Sequence, residues 1–274
     1  MIKSLLLILS IFLFSACGGR NEIGTSVHDT NTTDNPSTSE INTETTSVHD
    51  TNTTDNSSTS EINTENNSST TQLLSLDMFI NSNSCSQVID KVFYTICYDY
   101  HLKAAKAVGY TLSGDLVSEL NIKKRPSFKV EWQIESRYRA STSDYVHSGY
   151  DRGHIAPDAS FDWSQESLNS TYSLANIMPQ ARKVNRYTWV KAEKYERFIA
   201  VRLGSVQVLN VMSYSQNPVR IGQHGIAVPS GYYKILFNHE KNYSRCLYYA
   251  NDNNIVTSED ILRNHEVSCK EIQY

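Results

Sequence analysis

The chain has 274 residues, with 25 Lys and Arg against 29 Asp and Glu, a net charge of −4 at neutral pH. Eleven glycines, no sustained heptads and one apolar run exclude a collagen-like rod, a coiled coil and a polytopic membrane protein. The average charge hides an asymmetry: Gly18 to Gln72 hold nine acids and one base, a net of −8, whereas Leu73 to Tyr274 hold 23 bases and 20 acids, a net of +3. The part able to fold is mildly basic.

Residues 1–16 read as a secretory signal. The apolar run Leu5 to Phe14 follows Lys3 and ends in small residues, and it is about half the roughly 20 residues that a membrane-crossing helix needs. The string Leu13-Phe14-Ser15-Ala16-Cys17 resembles a bacterial lipobox. Cys17 would then carry the lipid that anchors an exported membrane lipoprotein facing the periplasm or the cell surface. Residues 17–72 are rich in Ser, Thr and Asn with almost no large apolar side chains, so they cannot bury enough surface to offset the entropy of ordering. A disordered tether is expected, of root-mean-square span roughly 40 Å. Within it Ser26 to Glu44 recurs as Ser47 to Glu65 at a period of 21, with Pro36 becoming Ser57; two copies without apolar stacking positions make a spacer rather than a solenoid. Three stretches, centred on Asn31, Asn52 and Asn67, resemble an acidic-extended bacterial glycosylation sequon, although low complexity alone also produces them.

Residues 73–274 are long enough to bury one core. Cys85, Cys97, Cys246 and Cys269 are an even set in an exported domain, which allows three pairings. Cys85 with Cys97 and Cys246 with Cys269 is the favoured one, and the lack of a CxxC pair argues against a zinc ribbon. Strands are predicted at Ala104–Leu112, Ser127–Ile134, Ser205–Tyr214, Gly225–Asn238 and Cys246–Ala250, each bounded by Gly, Pro, Asn or Asp. Helices are predicted at Arg186–Leu203, stopped by Gly204, and at Ser258–His265, where Ser258 precedes Glu259 and Asp260. Strands with inserted helices indicate an α+β fold.

The chemistry gathers between Ser148 and Arg197. GxSxG, HExxH and Walker patterns are absent. On a helix Glu193 and Arg197 lie about 40° apart and Asn185 about 80° from Glu193, so the three can face one cleft. An amide and a carboxylate are hard oxygen donors suited to Mg²⁺, with Mn²⁺ as the alternative, and Arg197 can grip a phosphate bidentately. The same spacing also fits a solvated face with an i,i+4 ion pair. His154 supplies a base, and Gly153 beside it lets backbone and substrate approach. Arg152 adds positive charge next to it. Between Ala181 and Arg202 stand seven bases and two acids, a local attraction for phosphate. Trp189 reads as a packing anchor. His101, His147, His224, His239 and His265 show no ligand spacing and read as surface or structural.

The strings Ser148-Gly149-Tyr150-Asp151-Arg152-Gly153-His154-Ile155-Ala156-Pro157-Asp158-Ala159, Ser173 to Gln180 and Asn185-Arg186-Tyr187-Thr188-Trp189 resemble the DNA/RNA non-specific endonucleases of the ββα-metal class. The resemblance runs from about Tyr98 to Phe237 and implies a central antiparallel sheet with flanking helices, with a β-hairpin and helix bearing the site. It implies that His154 is the general base, Asn185 the single direct metal ligand and Glu193 the carboxylate that holds the metal through water. Arg152 and Arg197 take phosphate and transition-state contacts, and Asn176 supports the site through hydrogen bonds. DNA and RNA would both be cut, with little sequence preference, to 5′-phosphate products. Two departures stand out: Asn210 to Tyr214 replace a Gly-Pro turn, and Ser160 stands where an acid is common. Both read as affecting loop shape and substrate preference rather than the reaction. Two rival readings stand beside it: a catalytically silent nucleic-acid-binding lipoprotein, which would keep the basic helix, and an exported small-molecule phosphodiesterase.

Overall fold

The structure is a computed structural model that describes residues 74–272 other than residue 120. The signal, Cys17, the duplicated tether and its sequons lie outside the described residues. In chain order the elements are β1 (Gln87–Asp90), β2 (Thr95–Asp99), β3 (Ala104–Ser113), α1 (Gly114–Val117), β4 (Asp151–His154), α2 (Gln165–Thr171), β5 (Ile177–Gln180), α3 (Trp189–Leu203), β6 (Ser205–Ser213), β7 (Arg220–Ile221), β8 (Ile226–Ala227), β9 (Gly231–Asn238), β10 (Tyr243–Ala250) and β11 (Glu266–Val267). Seven strands form one antiparallel sheet in the order β1-β2-β3-β6-β9-β10-β11; β4 pairs β5, and β7 pairs β8. The fold is α+β.

The central strands are apolar at nearly every position because the sheet is covered on both faces. Val108, Tyr110 and Leu112 of β3 join Val206 and Val208 of β6 and Tyr232 and Leu236 of β9 in the core under α3. The alternate residues Ala107, Leu209, Val211, Ile235 and Phe237 face a second core closed by Phe79, Ile80 and Ile272. Gly204, at φ +84°, ends α3 in a conformation that favours glycine. The chain then turns straight into β6, and the Gly204 carbonyl accepts a hydrogen bond from Gly114 N at 2.8 Å. Disulfides Cys85–Cys97 and Cys246–Cys269 form as favoured. Each ties the chain flanking an edge strand to the next strand inward, which restrains the two edges of the sheet.

Several predicted elements come out differently. Ser127–Ile134 is not a strand: Lys129 alone bridges Ser173, with bonds Lys129 N to Tyr172 O and Leu174 N to Lys129 O, before the chain turns at Glu131. Gly225–Asn238 divides into β8 and β9 around Pro229, which has no N–H to give a ladder. The α-helical part of Arg186–Leu203 begins only at Trp189, after a π-helical turn over Val184–Thr188. Ser258–His265 is helical only as a 3₁₀ turn at Leu262–His265. Asp260, expected to support that helix start, is buried and bonds Lys191 and His265 instead.

Candidate active site

The hairpin of β4 and β5 pairs Asp151 with Gln180, Arg152 with Pro179, Gly153 with Met178 and His154 with Ile177. Gly153 is required here, because a Cβ would come within 2.1 Å of Gln180 Oε1. Beyond His154 the strand is held by Asn176, which is fully buried. Its Oδ1 accepts from Ala156 N at 2.8 Å, and its Nδ2 donates to Ala156 O and Thr171 O, both at 2.9 Å. Asn176 is thus a positioning residue rather than a reacting one.

The His154 ring packs between Phe128 (centroids 5.5 Å) and Tyr172 (4.7 Å, edge-on). Its Nε2 is buried and makes no hydrogen bond within the protein. Desolvation by these rings pulls its pKa down to about 4, with the Asp158 carboxylate opposing the shift. Asp158 in turn accepts from the Tyr172 hydroxyl at 2.7 Å and pairs with Arg125 Nε at 3.1 Å; Arg125 also reaches Asp162 at 2.9 Å. The Arg152 guanidinium is exposed and lies over the Phe128 ring at 4.8 Å.

The other wall comes from the π turn and α3. Asn185 Nδ2 donates to Asp151 Oδ2 at 3.1 Å, and Arg186 grips both oxygens of Asp151 at 2.7 and 2.9 Å. The Arg186 bonds hold the Asp151 carboxyl below its ordinary range. Because the Asn185 nitrogen is committed to Asp151, its amide oxygen is left as the outward donor. Glu193 is half-buried, and desolvation pushes its carboxyl up to about 8 against the pull of Lys234, with Glu196 adding to the rise. A nearby cation would bring it down. Among the described residues no three His, Cys, Asp or Glu side chains converge as a metal cluster. An ion here would rest on few protein ligands and keep most of its waters, a regime that Mg²⁺ favours. The donor set of one amide oxygen and one poised carboxylate fits that description.

Behind this wall lies a network that sequence reasoning did not find. Glu196, one turn beyond Glu193, is fully buried and forms an ion pair with the equally buried Lys234 of β9. Its oxygens also accept from Tyr110 at 3.1 Å and from Ser160 at 2.8 Å. Ser160 Oγ accepts in turn from Arg197 at 3.2 Å. Asn210 Nδ2 donates to the Tyr110 hydroxyl at 3.1 Å and to the Ile155 carbonyl at 3.0 Å. The two departures, Ser160 and Asn210, therefore do more than shape loops: one touches Arg197, the other holds the residue after His154. The signals for the network were a lysine inside the apolar run of β9 and a glutamate at the spacing of the buried residues Ala192, Ile199 and Ala200.

The basic stretch between Ala181 and Arg202 is less free than its charge count implies. Arg186 is spent on Asp151, while Lys191 bonds the Asp260 carboxylate and carbonyl. Trp189 is buried under Tyr232 and Tyr249, as a packing anchor. His224 is bonded to buried Asp144, and His265 stacks on Tyr249.

A family profile described as DNA/RNA non-specific endonuclease matches residues 76–274. Mitochondrial Endonuclease G of Homo sapiens is 29% identical over 162 residues, 55% of this chain and 54% of that protein. The mitochondrial nuclease of Saccharomyces cerevisiae is 31% identical over 127 residues, 42% of this chain and 39% of the other. The chain thus spans about half the length, or less, of these two curated relatives. A solved EndoG/EndoGI complex superposes with TM-score 0.60 at 22% identity, covering 67% of this chain and 80% of that one, a likeness of fold. With its profile match over most of the sequence, the chain belongs to the DNA/RNA non-specific endonuclease family.

Proposed function

We propose that this protein is a metal-dependent endonuclease that hydrolyses phosphodiester bonds of DNA and RNA to 5′-phosphate ends, exported and held to a membrane by a lipid on Cys17. The observation that carries the catalytic reading is the pairing of walls: a desolvated imidazole on the last residue of β4, and an amide whose nitrogen is fixed by the first residue of the same strand. Asp151 and His154 lie three steps apart along the strand, about 10 Å between their α-carbons.

Desolvation keeps the His154 imidazole neutral, and so able to accept a proton, throughout the neutral range. An incoming phosphodiester anion raises its basicity further by opposing desolvation with negative charge. The ring takes the proton of a water, whose oxygen bonds to phosphorus as the P–O3′ bond breaks; the 3′ oxygen leaves and is protonated from solvent. Arg152 and Arg197 face the phosphate oxygens on which charge grows, Arg197 being oriented by Ser160. Asn185, with Glu193 acting through water, would hold a divalent cation, Mg²⁺ or Mn²⁺, whose charge would offset that growing on those oxygens. Contacts of this kind meet backbone rather than base edges, so sequence preference is low.

Plasmid DNA and a structured RNA incubated with the protein, with Mg²⁺ or with EDTA, test this reading. Metal-dependent smearing of both polymers, with ends that ligate only as 5′-phosphates, is the expected result. A mobility shift without cleavage would replace the nuclease with a binding protein, and no effect on either polymer would favour a small-molecule phosphodiesterase.

A further inference from the structure

The segment that brings Phe128 against His154 continues past the site and ends in an exposed indole. Trp132 is 76% exposed, and the Arg139 guanidinium lies over one face of it at 4.6 Å. Arg139 is itself fixed, Nε donating to the Ile134 carbonyl at 2.8 Å. The residue before Trp132 is equally fixed: buried Glu131 accepts from Lys91 and from Ser173, each at 2.7 Å, and Ser173 adjoins the Tyr172 that packs on His154. Trp132 therefore stands between anchored residues, with the Arg139 cation over its ring and most of the indole exposed to solvent.

Scattered exposed aliphatic residues need no explanation, but the setting of this indole is specific. From Lys123 to Arg139 the chain carries six bases against Glu131 and Glu135; with Arg125 paired to Asp158 and Asp162, Arg137 to Glu135 and Glu131 to Lys91, Lys123, Lys124, Lys129 and Arg139 supply the positive charge. Phe128, whose ring packs on His154, is four residues before Trp132, and four residues of chain span at most about 14 Å, so the indole stands within a few nucleotides of the site. A basic track with an open aromatic face is the chemistry that holds unpaired nucleotides. Bases inside a duplex are stacked on one another and have no face to offer.

We infer that Trp132, backed by Arg139, is a stacking subsite for an unpaired base of the substrate strand beside the scissile phosphate, and that it gives the enzyme a preference for single-stranded or locally melted nucleic acid. This rests on the nuclease reading above. The indole supplies the flat surface, the guanidinium polarises it from behind, and neighbouring Lys and Arg residues follow the backbone.

The test uses the full chain with Trp132→Ala and Trp132→Phe, with EDTA present so that binding is read without turnover. The probes are a short oligothymidylate and a duplex of equal length. Loss of one stacked base should weaken single-strand binding about 5- to 100-fold in Trp132→Ala and leave duplex binding within about twofold, with Trp132→Phe recovering most of the loss. Oligothymidylate should also quench tryptophan emission in the wild type and much less in Trp132→Ala, since Trp189 is buried and Trp163 is partly buried against Phe93. An unchanged urea midpoint confirms that the variants fold. Equal weakening for both probes, or none for either, overturns the subsite while metal-dependent plasmid cleavage by the wild type leaves the nuclease reading standing. A wild type that neither cuts nor binds removes both.

Discussion

The two walls of the site obey opposite rules. On the hairpin side, His154 is surrounded by Phe128 and Tyr172, loses water and leaves one nitrogen without a hydrogen bond. On the helix side the groups around the site are held by partners: Asn185 and Arg186 on Asp151, Arg197 on Ser160, and Glu196 on Lys234, Tyr110 and Ser160. The difference separates two tasks. On the proposed reading, a base must be available, so its surroundings withhold partners, and a ligand must be fixed, so its surroundings supply them.

Perturbing each wall should therefore fail in a different way. The largest effect is expected from His154→Ala, which should slow cleavage by about 10²- to 10⁴-fold while nucleic-acid binding and the melting temperature hold, the usual scale for a general base; wild-type turnover in that variant would remove His154 from the chemistry. On the opposite wall Lys234→Met leaves Glu196 buried without its cation, and the loss should appear as stability, about 3–5 kcal/mol in urea unfolding. If Lys234→Met melted like the wild type, the buried pair would not be holding α3 to the sheet. Gly153→Ala falls between the two: its Cβ must displace Gln180, at about 1–3 kcal/mol, and moving β4 should cost rate as well. A variant with full rate and stability would show that the hairpin yields.

The pH dependence of stability tests the hairpin wall without a change in rate. His154 titrates near 4 when folded and near 6.5 when unfolded, so between these values the unfolded chain binds the proton and the folded chain does not. Stability contributed by this group is complete above about pH 6.5 and declines as pH falls toward 4. His154→Phe should flatten that part of the curve, measured as the difference in urea midpoint between pH 4.5 and 7; an identical slope would mean that the imidazole is not desolvated.

Much of this was legible in the sequence. The motif around Asp151 to His154 and the later Asn185, Glu193 and Arg197 identified both walls, and the cysteine spacing gave the favoured bridges. What escaped depended on distant segments. Phe128 and Tyr172 become walls of a histidine only when Lys129 bridges Ser173, a contact that left no periodic signal. Arg125 had no visible role until Asp158 and Asp162 came alongside it. The strand read into Ser127–Ile134 had suitable residues but no neighbouring ladder, and the helix read into Ser258–His265 lost its acid to Lys191. Local preference described β3, β6, β9 and β10 of the central sheet, where burial reinforced it, but β1, β2 and β11 toward its edges went unpredicted.

The π-helical turn over Val184–Thr188 holds one more residue than an α-helical turn would. Deleting a single amino acid there would relax the backbone to ordinary winding, and by local criteria the shorter helix would be the better one. Residues upstream would nonetheless swing by about 100° relative to Glu193, carrying the Asn185 amide away from the side on which Glu193 and Arg197 point. The surplus residue therefore acts as a phase setting, and a protein shortened by one position could fold well and still be inert.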